Sequence, residues 1–98
     1  MVEIFRSSHF DGWLRGLRDV RAVARIQARI DRLALGNPGD AKPVGAGISE
    51  MRIDYGPGYR VYYMQRGRIV IILLCGGDKS TQPQDIETAK TLAAEWKE

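Results

Sequence analysis

Ninety-eight residues, 44% of them hydrophobic, suffice for one core and not for two, so the chain reads as a single domain over 1–98. The net charge of +3 is carried mostly by arginine, which suits a polyanionic partner without demanding one. One cysteine, one histidine, no apolar run near the ~20 residues of a membrane helix and no signal peptide before Glu3 argue against a disulfide framework, a Cys/His metal cluster, a membrane span and export, so a cytoplasmic protein is expected.

Taken in order, Val2 to Phe5 alternates as a short strand expected at the edge of a sheet. Ser7 or Ser8 is placed to cap a helix with Asp11 in its first turn, and Phe10, Trp13, Leu14 and Leu17 recur at helical spacing as its buried face. His9 reads as a surface or capping residue. Asp19 is expected to cap a second helix, Val20 to Leu35, in which Val23, Ile26, Ile30 and Leu33 line one side and which Gly36 ends. On its other side Arg21, Arg25, Arg29 and Arg32 share a narrow stripe, because steps of four, four and three residues at ~100° each nearly return to one azimuth. Such a stripe is either a solvated face or a surface that meets an acidic partner or phosphates.

Gly36 to Gly47, GNPGDAKPVGAG, is too broken by glycine and proline for a regular element and is expected to be a mobile connection. Its Lys42 is either a solvated loop lysine or one that swings toward a ligand. From Glu50 to Gly77 three strands follow in a meander. Met51, Ile53 and Tyr55 alternate with Arg52 and Asp54, and Gly56-Pro57-Gly58 turns the chain. Tyr59, Val61 and Tyr63 then take one face, while Arg60, Tyr62 and Met64 take the other. The third strand, Ile69 to Cys75, is apolar throughout, so it must be covered on both faces, and Cys75 at its end reads as packing. A last helix with Pro83, Asp85 and Glu87 near its start is expected to run to Lys97, with Ile86, Ala89, Leu92, Ala93 and Trp96 as its apolar stripe.

Gly76-Gly77-Asp78-Lys79-Ser80 looks at first like a phosphate-binding loop, but the lysine does not follow a glycine at the required spacing, so it reads as a strand-to-helix turn. That turn still sets Lys79 beside backbone amides leading into a helix, a sensible place for a phosphate. Arg52 and Arg60 lie on neighbouring antiparallel strands and share one face with Tyr62, and Lys79 emerges at the end of the third strand. Together they could grip a phosphodiester and stack on a base. The competing expectation is that these arginines pair with Asp54, Glu50 and Glu3.

The series Phe10…Trp13-Leu14…Leu17, Gly36-Asn37-Pro38-Gly39-Asp40, Glu50-Met51-Arg52-Ile53, Gly56-Pro57-Gly58-Tyr59-Arg60-Val61-Tyr62-Tyr63 and Leu73-Leu74-Cys75-Gly76-Gly77-Asp78-Lys79-Ser80-Thr81-Gln82 resembles the RelE/ParE toxin superfamily, nearest its HigB-like "addiction module killer protein" branch. The resemblance spans nearly the whole chain. It implies an α+β, RelE-like fold: an antiparallel sheet of about four strands, mixed if the N-terminal strand joins in parallel, with two N-terminal helices and one C-terminal helix packed on it. It also implies the toxin of a bacterial type II toxin-antitoxin pair, inhibited by an antitoxin of helix-turn-helix type, through which alone it would meet DNA.

Members of the RelE and HigB type cut messenger RNA on the ribosome without a metal or other cofactor, the ribose 2′-hydroxyl attacking its own phosphate. Carried over to the matching positions, Arg60 would stabilise the transition state, Arg52 would bind the phosphate, and Lys79 would protonate the leaving oxygen or clamp the phosphate. The C-terminal tyrosine of RelE and histidine of HigB have no counterpart after Lys79, so the general base is unassigned, with Tyr62 or Lys42 as substitutes. An acidic antitoxin segment would lie along Arg21, Arg25, Arg29 and Arg32 or cover Arg60. Two other behaviours fit the same fold: a ParE-type inhibitor that binds DNA gyrase without cutting nucleic acid, and an inactive protein-binding module.

Overall fold

The computed structural model describes residues 2–96. Five strands, β1 (Glu3–Arg6), β2 (Ala41–Gly45), β3 (Ile48–Ile53), β4 (Tyr59–Arg66) and β5 (Val70–Gly77), form one sheet in the order β1-β5-β4-β3-β2. The sheet is mixed: β1 runs parallel to β5, with Glu3 opposite Val70 and Arg6 opposite Leu73, and the other pairings are antiparallel. Helices α1 (Ser8–Gly16) and α2 (Val20–Ala34) cover one face, and α3 (Gln82–Glu95) covers the opposite one. The class is therefore α+β as expected, with one strand more than anticipated and the helices divided between two faces.

The extra strand is β2, inside the stretch expected to be an irregular connection. An edge strand tolerates this composition, because only one side of its backbone enters the ladder and a bulge between Pro43 and Gly45 takes up the irregularity. Lys42 is thereby fixed opposite Glu50 on an exposed strand and does not swing on a loop.

The helices start where their caps dictate. Ser7 Oγ accepts from Phe10 N at 2.9 Å and donates to the Leu74 carbonyl at 2.6 Å, so one buried hydroxyl both begins α1 and ties it to β5. Asp19 Oδ1 accepts from the amides of Arg21 and Ala22 to start α2, and Gly36, at a φ of +87°, closes its end. Helix α3 ends at Glu95, and the expected continuation to Lys97 lies outside the described residues.

Two hydrophobic cores follow from the alternation of β3 and β4. Phe10, Leu14, Ile26, Ile30, Met51, Ile53, Val61, Tyr63 and Leu73 pack between the sheet and α1–α2, whereas Ile48, Tyr62, Met64, Ile72, Leu74 and Ala89 pack under α3. Strand β5 is buried from Ile71 to Gly77, as its unbroken apolar run requires, while Ile69 stays outside it and is exposed. A register shift puts Leu74 as an extra residue between Leu73 and Cys75, so that Leu74 and Cys75 both join the α3 side.

Arg29 departs from the expected stripe. Its guanidinium donates to the carbonyls of Arg52, Pro38 (3.0 Å) and Asp40 (3.4 Å), locking the entry to β2 against the end of β3. Arg29→Ala removes these donors and is expected to destabilise the chain by ~2 kcal/mol. Arg29→Lys, which cannot fork, should recover under half of that in urea unfolding. Equal stability of the lysine variant and wild type would show that charge, not the fork, matters.

Candidate functional site

Three of the cations singled out by sequence come together. Arg52 near the end of β3, Arg60 near the start of β4 and Lys79 in the 3-10 turn after β5 line one open concavity of about 280 Å³ with Asp40, Ile53, Asp54, Gly58 and Tyr59. The cross-strand register explains it: Arg52 lies directly opposite Arg60, and Arg60 opposite Gly77, two residues before Lys79. Gly58, at a φ of +80°, brings the β3–β4 turn to Lys79, where even an added Cβ would stand 3.5 Å from the lysine Cβ.

Behind this concavity lies a carboxylate. Glu50 is 0% exposed and accepts from Arg60 Nη1 at 2.9 Å, Arg52 Nε at 3.1 Å, Tyr62 Oη at 3.1 Å and Gln82 Nε2 at 2.7 Å. The arginines thus pair with Glu50, and not with Asp54 or with Glu3, which sits across the sheet on β1. Arg60 is only 8% exposed, and its Nε is buried without a hydrogen-bond partner among the described residues. Arg52 is more open, its side chain 37% exposed. Burial alone would raise the Glu50 carboxyl, but the hydrogen bonds from Gln82, Arg52 and Tyr62 and the charge of Arg60 outweigh it, and the group is held below its ordinary value.

This sets an acid limit. A carboxylate whose pKa is depressed by folding contributes stability that is full above the unfolded value of ~4.3 and is lost as the pH falls through the folded one. Acid unfolding should therefore set in below ~pH 4, and Glu50→Gln should flatten that limb of the stability profile. An unchanged limb would assign acid sensitivity to the surface carboxylates Asp19 and Asp78, whose pKa values are also lowered.

Tyr62 is placed differently from its expected role. It is fully buried, so its ring offers no surface for a base to stack on. Burial and the adjacent Glu50 raise its hydroxyl well above the ordinary tyrosine range, which also unsuits it as a general base. Lys42 stands on the same sheet face, opposite Glu50, but does not line the concavity. Tyr59, which does, is half-buried and packs edge-on to Trp13 with ring centroids 6.3 Å apart. Of the residues of the concavity, Arg52, Arg60 and Lys79 stood out in the sequence as candidates for gripping a phosphate, and Asp54 only as a partner for the arginines. Glu50 did so only as a pairing partner, and Gln82 gave no signal, because a neutral side chain at a helix start has many uses.

The glycine pair before Lys79 serves packing. A Cβ at Gly76 would fall 2.3 Å from the Trp13 ring, and one at Gly77 would fall 1.8 Å from Asp85 Oδ2. Asp78 then caps the turn, its Oδ1 accepting from Ser80 N at 2.8 Å. Cys75 is buried, and its thiol is pushed up to about 12 by burial and the Asp85 charge, which leaves it an inert packing group.

A larger hollow of about 360 Å³ lies between α2 and the end of β3, lined by Arg25, Ala28, Arg29, Arg32, Ile53 and Asp54. Size does not make it the site. Arg29 is committed to backbone carbonyls, and Arg25 stacks over the Tyr55 ring at 4.9 Å. Arg21 and Arg32 are exposed on the same helix. Among the described residues no cluster of three or more His, Cys, Asp or Glu side chains is placed to hold a metal ion, and no helix is long and apolar enough to cross a membrane.

Fold and site together define a small mixed-sheet α+β protein with a cation-lined concavity built on a buried carboxylate. The chain belongs to the family described as phage derived protein Gp49-like (DUF891), which it matches over residues 12–95 and which is of the RelE toxin type. It is also 54% identical over 94 residues to a protein of Haemophilus influenzae described as an uncharacterized protein, covering 96% of this chain and 95% of that one.

Proposed function

We propose that the protein is the toxin of a bacterial type II toxin-antitoxin pair and acts as a ribosome-dependent messenger RNA endoribonuclease. The observation that carries this reading is the convergence of Arg52, Arg60 and Lys79 on one concavity, with Arg60 held on a buried carboxylate. In the step envisaged, the 2′-oxygen bonds to phosphorus and the bond to the 5′-oxygen breaks, giving a 2′,3′-cyclic phosphate and a 5′-hydroxyl end. The 2′ proton leaves to a base supplied outside Arg52, Arg60 and Lys79, while the Lys79 ammonium donates a proton to the departing oxygen. Arg60 and Arg52 stabilise the charge that grows on the phosphoryl oxygens, which fixed donors in a partly dry site do well.

An acidic antitoxin segment remains a fitting partner for the helical arginines, now reduced to Arg21, Arg25 and Arg32 because Arg29 is occupied by backbone carbonyls. Substrate would be presented by the ribosome, which supports a chain with so few acid-base groups of its own.

Induced expression of wild type and Arg60→Ala, with growth and the 5′ ends of cellular messages read together, tests this. Wild type should arrest growth and create new ends within translated codons. Loss of one fixed donor to the transition state lowers turnover by about 10²–10³-fold, enough to abolish both effects in the variant. Arrest with intact messages would transfer the reading to gyrase inhibition, and arrest by the variant equal to wild type would remove Arg60 from the site.

A further inference from the structure

Glu50 touches every cation of the concavity except Lys79 and does not itself line it. Its Oε1 accepts from Arg60 Nη1 and Arg52 Nε, and its Oε2 accepts from the Tyr62 hydroxyl and Gln82 Nε2. A carboxylate has about four acceptor positions, so this one is saturated and has none to spare for a substrate proton. It can, however, decide which guanidinium edges remain open. With Nη1 of Arg60 bonded to Glu50 and its Nε buried, Nη2 is the guanidinium nitrogen that carries no bond among the described residues on the side of the concavity Arg60 lines. With Nε of Arg52 taken, its Nη1/Nη2 end is the one left.

We propose that Glu50 is a positioning residue that orients Arg60 and Arg52 so that the guanidinium N–H groups it leaves free face one oxyanion, with Gln82 and Tyr62 holding the carboxylate in register. The partners come from three elements, β3, β4 and the first turn of α3, so the arrangement is fixed by the sheet and the helix together. Arginine alone would not achieve this. A guanidinium on a long stem loses rotamer freedom when it is held, and a buried carboxylate bonded on both oxygens imposes that loss before the anion arrives.

This inference rests on reading the concavity as an anion site, so its test uses inorganic phosphate and arginine resonances and not message cleavage. In ¹⁵N-labelled wild type the Arg60 Nε–H signal should be resolved, slow to exchange with solvent, and shifted by added phosphate. Glu50→Gln, verified as folded, should lose the slow exchange and bind phosphate about tenfold more weakly, as expected when a charged group is misplaced by a fraction of an ångström. In an Arg60→Ala background the same change should cost no further affinity.

Wild-type exchange and affinity in Glu50→Gln would overturn the proposal, as would an equal loss with and without Arg60, which marks general loosening. If Glu50→Gln does not fold, Tyr62→Phe decides: removing one donor to Oε2 should weaken phosphate by about threefold, and unchanged affinity overturns the inference. A wild type that ignores phosphate while Glu50→Gln still frees the Arg60 signal would sink the anion reading and leave Glu50 as the group that orients the arginine.

Discussion

Replacing Glu50 with alanine is expected to destabilise the folded chain by about 3–5 kcal/mol, the range for removing one partner of a buried ion pair. The loss has little to do with the energy of any single contact. It arises because Arg60, 8% exposed, keeps its charge with no counter-charge beside it, while the Tyr62 hydroxyl loses its acceptor in an apolar surrounding. Against a total of ~5–15 kcal/mol for a domain, this should lower the melting temperature by roughly 15–30 °C.

A second variant separates this account from a plain packing defect. Glu50→Leu combined with Arg60→Met removes both charges and fills a similar volume, and buried pairs replaced in this way are often neutral in stability. The double variant should therefore unfold at a higher urea concentration than Glu50→Ala, although it has lost two site residues. A cost for Glu50→Ala below ~1 kcal/mol would show that water reaches the arginine and that the pair behaves as a surface one.

Gly76→Ala is the second large effect, expected at ~3 kcal/mol from overpacking. Neither Gly76 nor Gly77 has a positive φ, so the requirement for glycine is one of space. At Gly76 the obstacle is the Trp13 ring, pinned by Phe10 at 5.7 Å and Tyr59 at 6.3 Å between centroids, and it cannot yield without opening the α1 side of the core. At Gly77 the obstacle is the end of the Asp85 side chain, which can rotate away at the cost of its bond with Thr81. Gly77→Ala should therefore cost less, ~1–2 kcal/mol. In a Trp96→Phe background the emission of Trp13 should shift to the red in Gly76→Ala only. The reverse order of stabilities would mean that the ring moves more freely than the carboxylate.

What could be read in advance follows from which forces have a local signature. Period-two alternation in Met51–Ile53 and Tyr59–Met64 announced two strands and their faces, and the caps Ser7, Asp19 and Gly36 announced helix ends, because these features act over a few residues. Two neighbouring strands with a known turn then placed Arg52 beside Arg60, which made the cationic part of the site legible. Strand β2 was hidden by its glycines and Pro43, since an edge strand is held by its neighbour and needs little propensity of its own.

Arg29 leaves the expected stripe for a related reason. Helical periodicity gives the direction of a side chain but not the carbonyls it will find across the sheet, and carbonyls leave no mark in sequence. Tyr62 lies on the expected face but is buried there, because α3 covers that face once the chain returns after residue 82.

The parallel pairing of β1 with β5 joins residues far apart in the chain, Glu3 with Val70, and the strands that would otherwise flank β1 pair elsewhere. During synthesis at roughly 5–20 residues per second, β1 must wait several seconds for its only partner to emerge. Helices α1 and α2 can form in that interval, but the apolar faces they carry have no sheet to rest on until β4 and β5 arrive. The arginine at position 60 and the glutamine at position 82 straddle that moment, so the carboxylate network is among the last features to close. A chain cut short before α3 would lack Gln82 and the helix that covers Tyr62, and should unfold at a lower urea concentration than the full chain.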